Sequence, residues 1–471
     1  MSKKILLTIA KNFDYIVTAG KEYLLRPKEN LPEGTIPMTP KNLDNVIYSI
    51  DKTSLSQAKK EALHRAIWDE AKKRAIKKEV NVRVAHEGDT IYCDLGHNGF
   101  VRISGKGIKI VDSCPVAFLR PATMQALPIP DLDTSSTPQE ALKGLWDLTN
   151  VEAKDRRVVA AWLMSLFQHE GTKAALLLEG AHGAAKTTTL IMLARVLDPH
   201  IPRHVALSKA EKDLYIFARN RLVAAFDNVS DVKAATSDIL CQILSGGATS
   251  ARKLYTDGDE FVISAKASLI LNGITTGVVR GDLLDRTLKM ELPELSGKRR
   301  TEKELNALFV QRHPAILGAL LRVVHYGLGH PVELPDDLET GRLVDFAHWS
   351  YTCAPGLGLM PEKLVNRICE NQRNAREEVM STDDVADFIR TLLNQNRGTW
   401  EGIATDLYAE FGIWAADRKF RLSASYPASV RAMTGWLKRA APLLRSVGIR
   451  HTDKRIGSKR LIVITRISKD D

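Results

Sequence analysis

A lysine and a hydroxyl, Lys186-Thr187, close a short glycine-bearing loop, Gly180-Ala181-His182-Gly183-Ala184-Ala185, that joins an apolar run to an amphipathic stretch. These residue types at this spacing suit a nucleoside triphosphate and its Mg²⁺. In the pattern G-x-x-x-x-G-K-[ST], loop N–H groups and the N-terminus of the next helix surround the phosphates. The lysine reaches the β/γ oxygens and the hydroxyl binds the metal. Gly180 and Gly183 supply the turns, Lys186 the ammonium and Thr187 the metal-ligand hydroxyl, with Thr188 next in the binding set. Ala185 occupies the sixth position, where the general pattern has glycine, so the loop is expected to avoid positive φ there.

Positioning these groups takes a buried strand before the loop and a helix after it. Ala174 to Leu178 is an apolar run of strand length, and Leu190, Ile191, Leu193, Ala194 and Leu197 form a helical face closed by Asp198-Pro199. RLVAAFDN (221–228) brings an acid, Asp227, to the end of a second strand, where it can hold the Mg²⁺ shell through Thr187 and water. ASLILNGI (267–274) reaches Asn272, whose amide could orient an attacking water, and GDLLDRTLKMEL (281–292) gives a short helix, an arginine and another strand. Between the second and third runs, Asp257-Gly258 marks the turn of a hairpin carrying Arg252, Lys253 and Tyr255. Two cations and a stacking ring can grip single-stranded nucleic acid. The same hairpin could instead pack Tyr255 on its own domain and leave the cations in solvent.

The length, 471 residues, suggests about three domains. No apolar stretch approaches the roughly 18 residues that span a bilayer, and the N-terminal apolar segment is too short for a signal peptide. A cytoplasmic protein with no membrane partner is expected. Five scattered cysteines without a C-x-x-C read as reduced, mostly buried thiols, not as a zinc site or disulfide framework. A net charge of +11 favours a polyanionic partner, and residues 431–471 alone hold eleven Lys/Arg against three Asp/Glu. A second basic run, Lys59 to Lys78, reads first as the solvated face of a charged helix.

Ahead of residue 127 that helix is joined by short strand signals, NVRVAH, TIYCDLG, FVRIS and IKIVD, several of them separated by turns at Asn98-Gly99 and Gly105-Lys106-Gly107. The Pro-rich stretch 127–140 looks like a linker. From about Thr382, helical patterns cover Val385 to Leu393, Ile403 to Phe411 and Ser429 to Ser446, the last expected to kink or split at Pro442. Two alternating strands around Ile456-Gly457-Ser458 end the chain. Three helices and a basic hairpin make the arrangement of a winged helix, with Lys454, Arg455, Lys459 and Arg460 near the wing tip as DNA contacts. A hairpin that serves only solubility is the alternative.

Taken together, GAHGAAKTTT, AAFDNVSD, LSGGATSARKLYTDGDE, LILNGI and RGDLLDRTLKMELPEL resemble a family of ATP-binding proteins of bacteriophages and integrated elements, allied to superfamily 3 and AAA+ replicative helicases. The resemblance runs from about Ile91 to Ile467. It implies that Lys186 and Thr187 are the Walker A pair, Asp227 the Walker B acid and Asn272 the sensor. It also makes Arg286 a finger that reaches a neighbouring subunit's γ-phosphate, and the hairpin a pore element. Asn228 departs from the broad AAA+ pattern, standing where many members have a water-orienting glutamate. An amide cannot act as a base, so either another group takes that role or hydrolysis is slow and ATP works as a switch.

The expected architecture is an α/β P-loop NTPase core of AAA+ type (141–294), preceded by a mixed α+β domain (1–126) and the linker (127–140). A helical region (295–380) and a winged-helix domain (381–471) follow. The expected function is an ATP- and Mg²⁺-dependent DNA helicase or translocase, a homo-oligomeric ring acting in replication of a mobile element. The rival is an ATP-switched DNA-binding initiator or helicase loader without motor activity.

Overall fold

The computed structural model describes residues 2–18, 22–28, 34–52, 55–133, 135–230, 232–252, 260–273, 281–295, 300–417, 427–456 and 459–467. At its centre five strands form one parallel sheet: β1 (Ala175–Glu179), β2 (Val205–Ala206), β3 (Val223–Val229), β4 (Ser268–Gly273) and β5 (Thr287–Glu291). Their spatial order is β5-β1-β4-β3-β2. Parallel strands covered on both faces read as nearly continuous apolar runs, and successive side chains feed opposite faces. Here Leu176, Leu178, Val223, Ala225, Ile270 and Leu288 enter one core, while Ala175, Leu177, Ala224, Phe226, Leu269 and Leu271 enter the other.

Four helices matter to the site and its connections: α1 (Lys186–Leu197), α2 (Gly281–Leu284), α3 (Glu302–Gly329) and α4 (Pro361–Thr382). A capping box starts α3: Thr301 Oγ1 accepts from the Glu304 N–H at 3.2 Å, and the Glu304 carboxylate accepts from the Thr301 N–H at 2.7 Å. This helix is long and apolar enough to pass for a membrane span, which corrects the expectation that no stretch approaches that length. Its apolar side chains have a different use. Ile316, Leu317, Leu320, Leu321, Val323 and Val324 are all fully buried in the main core.

The stretch expected to be a linker lies on α3. Leu127 is fully buried, the Asp131 N–H donates to Pro314 O at 2.9 Å, and Gly318 has no room for a Cβ because the Asp131 carbonyl lies there. Just before it, strands Val84–Glu87, Thr90–Asp94, Phe100–Ser104 and Gly107–Val111 form an antiparallel meander. One face of the meander, through Val84, Ile91, Cys93, Val101 and Ile103, belongs to the same core as Leu145, Trp162 and Phe309. A buried polar knot ties it in. Arg83 donates to the carbonyls of Asp94 and Gln125 at 2.8 and 2.7 Å, and its Nε lies 3.6 Å from Asp198, the C-cap of α1. Asp198 also accepts from His200 and from the N–H groups of Leu222 and Val223 at the start of β3. Burial by itself would raise the Asp198 pKa; the His200 contact, Arg83 and the Val223 N–H outweigh it and hold the carboxyl below its usual range.

Residues 2–77 have a separate core built on Ile5, Ile9, Leu25, Leu43, Leu63 and Ile67. Its charged helix spans Gln57–Arg74, so it begins before the basic run Lys59 to Lys78 and stops short of that run's end. At the other end of the chain, helices Asp384–Gln395, Ala404–Asp417 and α5 (Val430–Ser446) enclose a third core with Trp400, Ile462 and Ile464. The α5 helix runs through Pro442 unbroken, so the expected split does not occur. Strand Thr399–Gly402, absent from the sequence reading, pairs with Lys459–Arg466, which pairs in turn with Ile449–Ile456. Helix α5 packs against both α4 and α2.

Candidate nucleotide site

The glycine-bearing loop leaves the C-terminal end of β1. Gly180 has φ 146°, and an added Cβ would sit 2.5 Å from Leu292 O, so conformation and space both require glycine. Gly183 is also left-handed, at φ 84°. Ala185 has φ 58° and ψ 31°, which overturns the expectation that the loop avoids positive φ there. The passage from the loop into the first turn of α1 sets this backbone conformation. Alanine accepts it at a cost of about 1–2 kcal/mol.

Lys186 opens α1, and its ammonium donates to the loop carbonyls of Gly180 at 2.7 Å and Ala181 at 2.9 Å. Ala181, His182 and Gly183 are exposed, Ala184 is buried, and Thr188 is half-buried in the first turn. Thr187 Oγ1 lies 3.0 and 3.2 Å from the two carboxylate oxygens of Asp227, to which it donates. Asn272 Nδ2 donates to the same hydroxyl at 3.3 Å, and Asn272 Oδ1 accepts from the Asn228 N–H at 2.6 Å. Lys186, Thr187, Asp227, Asn228 and Asn272 therefore meet at the C-terminal ends of three adjacent strands.

Local backbone irregularity makes this meeting possible. The register of β3 with β4 breaks between Phe226 and Val229, and Asn228 takes φ 56°, a conformation asparagine tolerates better than most residues. A bulge of this kind re-aims the side chains beside it. Gly273 answers it across the strand pair, because the Val229 carbonyl occupies the place of a Cβ.

Two contributors carried no sequence signal. Asn150 Nδ2 donates to Ala184 O at 2.9 Å and Pro293 O at 2.6 Å, and its backbone N–H donates to Thr189 Oγ1 at 3.1 Å, so it braces the loop against the segment after β5. His204, just before β2, places Nδ1 3.4 Å from Asp227 Oδ2. Both are joined to the site by contacts across many residues, which local pattern cannot report. The strand under the loop is held as well: Glu179 pairs with Lys289 of β5 at 3.0 Å, and Lys289 pairs with Glu378 of α4. Burial would lower the Lys289 pKa, but the two carboxylates hold it above its ordinary value.

Arg286 is elsewhere. It sits at the start of β5, where its carbonyl accepts from the Ala175 N–H at 2.8 Å, and its guanidinium donates to Asp282 O at 3.0 Å. That is the end of the sheet opposite the loop, the length of β1 away, roughly 13 Å at about 3.3 Å per residue. The expected nucleic-acid hairpin is described only at its base, where Ala248–Arg252 pairs antiparallel with Glu260–Ser264. Lys253, Tyr255 and the Asp257-Gly258 turn lie outside the described residues, as do the side chain of Arg252 and the Gly457-Ser458 turn. At the C-terminal hairpin Lys454 and Arg455 are exposed, whereas Arg460 is engaged by Asp453; of Lys459 only the backbone pairing, with Ile456, is described.

Residues 141–361 match the family model for the actinomycete integrative conjugative element replication protein RepA, and residues 385–471 match the model for the C-terminal domain of the same protein. No curated protein matches the sequence. Among solved structures, the chain is similar to Cch of SCCmec type IV, an active helicase, at 12% identity and TM-score 0.44, over 97% of this chain and 93% of that one. It is also similar to the apo C-terminal region of NrS-1, at 13% identity and TM-score 0.42, over 98% and 99% of the two chains.

Proposed function

The chain belongs to the family of actinomycete integrative conjugative element replication proteins, and from that premise we propose that it is an ATP-dependent DNA helicase or translocase. It would act in the cytoplasm on the replicating element. The observation that carries the reading is the meeting of Lys186, Thr187, Asp227 and Asn272 at the ends of adjacent strands. The strand order, with the loop strand second and the Asp227 strand two places away, supports a core of AAA+ type.

The donor set fits Mg²⁺. A hydroxyl and a carboxylate 3.0 Å apart are hard oxygen donors, and this ion usually takes one or two carboxylates together with substrate phosphates. Thr187 and, directly or through water, Asp227 would hold it, and when bound it neutralises charge on the β and γ oxygens. The protein's own groups do the rest. Lys186 exchanges the carbonyls of Gly180 and Ala181 for phosphate oxygens, while the loop N–H groups and the start of α1 receive the remaining charge. Asn272 orients the Thr187 hydroxyl and fixes the backbone at Asn228. Arg286 would act from a neighbouring protomer in a ring, and Arg252, Lys253 and Tyr255 would grip single-stranded DNA in its pore.

The shared cores support a reading as three units, where four and a linker are expected from the sequence: residues 1–79, a central unit 80–380 that includes the meander and the 127–140 stretch, and 381–471. The last has the make-up of a winged helix that binds duplex DNA. Replacing Lys454, Arg455, Lys459 and Arg460 by alanine is expected to weaken duplex binding and flatten the plot of log K against log[salt] by about 0.9 per lost phosphate contact. Because Asp453 engages Arg460, Lys454 and Arg455 should account for most of the change. An unchanged slope would assign the charges to solubility.

Asn228 favours a second reading, an ATP-switched initiator or loader. ATPase rate with and without single-stranded DNA, together with duplex separation in both directions, tests the choice. A motor is stimulated by single strands, and Lys253→Ala or Tyr255→Ala removes the stimulation and the unwinding. A parent that separates no duplex and binds DNA only with ATP is a switch.

A further inference from the structure

The strand acid Asp227 has a neighbour that the family-level reading does not use. His204 Nδ1 lies 3.4 Å from Asp227 Oδ2, its side chain is 32% exposed, and the described residues offer it no other partner. It reaches the site from β2, the strand next to that of Asp227, where Ala206 stands in register with Asp227. Asn228, at the position of the missing glutamate, has its backbone N–H committed to Asn272 and an exposed side chain. With Nδ1 beside the Asp227 carboxylate, Nε2 is the ring nitrogen left for another partner.

We propose that His204 orients the water that attacks the γ-phosphate, the task that Asn228 leaves unfilled. This rests on the ATPase reading given above. Phosphoryl transfer has a loose transition state, and orienting the water by a neutral hydrogen-bonding group is enough for it, as a glutamine does in other P-loop enzymes. The water oxygen forms the new bond to phosphorus while the bond to the β,γ-bridging oxygen breaks and its electron pair leaves on ADP. Both water protons depart on the phosphate product as H₂PO₄⁻, so the imidazole lends an acceptor and keeps no proton. His204 is then a catalytic residue by contact with the reacting water, and Asp227 sets its orientation.

The test compares His204→Ala and His204→Gln with the parent, measuring Mg²⁺-dependent affinity for a fluorescent ATP analogue and single-turnover hydrolysis. The expected result is affinity within about twofold throughout, with hydrolysis lowered on the order of 10²-fold in His204→Ala and largely recovered in His204→Gln. Parent-like hydrolysis by His204→Ala overturns the proposal. So does a fall in affinity that matches the fall in rate, because it would mean that His204 only holds Asp227 for the metal. A parent that binds nucleotide but hydrolyses none overturns the ATPase reading together with this one, and is recognised before any variant is compared.

Discussion

Lys186→Ala loses MgATP binding and keeps its fold. Charge-assisted hydrogen bonds to a buried anion are worth about 1.5–3 kcal/mol each, so two of them amount to roughly a 10²- to 10⁴-fold loss in affinity. The cost to stability is small by comparison. Among the described residues the ammonium donates to the carbonyls of Gly180 and Ala181, in a loop whose outer residues are exposed, and water can replace it there. Calorimetric titration with ATP alongside thermal unfolding separates the two effects. Equal affinity in parent and variant would remove the phosphate-loop assignment.

Arg286→Ala is expected to bind ATP like the parent and to turn it over on the order of 10³-fold more slowly, the usual contribution of an arginine finger. The geometry sharpens the expectation. Arg286 is level with Ala175, at the far end of the strand that ends in the glycine-bearing loop, so on the proposed reading it would serve a neighbouring protomer's site and not its own. Mixing Arg286→Ala with Lys186→Ala protomers should restore activity, since roughly a quarter of the interfaces in a random equimolar ring pair an intact loop with an intact arginine. Absence of rescue, or a monomeric mass under every nucleotide condition, would sink the shared site.

Much of the sheet was legible because its signals are local. Ala175 to Glu179, Val223 to Asp227 and Ser268 to Asn272 are short apolar runs ending in a polar residue, and a glycine-bearing loop before a helix fixes which end carries the site. What escaped depends on distance in the chain. The edge strand β2 has only two residues, too few for a period, and with it went His204. Asn150 joins the site across 34 and 143 positions, and Arg83 meets Asp198 in the same long-range way. The conformation of Ala185 differs from the expectation for another reason: the tight passage from the loop into α1, and not alanine's own preference, sets its torsion. At Pro442 the helix does not split, because the penalty for a proline is outweighed where α5 is held by Leu437 and Leu444 in a packed core on either side of it.

The knot of Arg83, Asp198 and His200 limits how this chain can be cut. A fragment starting at residue 127 or 141 looks natural from the proline-rich stretch or from the span of the family model, yet it leaves the Asp198 carboxylate in place and removes the guanidinium beside it. It also strips the meander from α3, where Ser104 O meets the His325 ring and Gly105 lies against Leu328 and Gly329, and so opens the core that the two share. Losing one partner of a buried ionic group costs about 3–5 kcal/mol, a large share of what holds a domain together. Expressed alone, such a piece would be sticky, prone to clump and quickly digested. A usable boundary falls near residue 80, where the first hydrophobic core has ended and the knot has not yet begun.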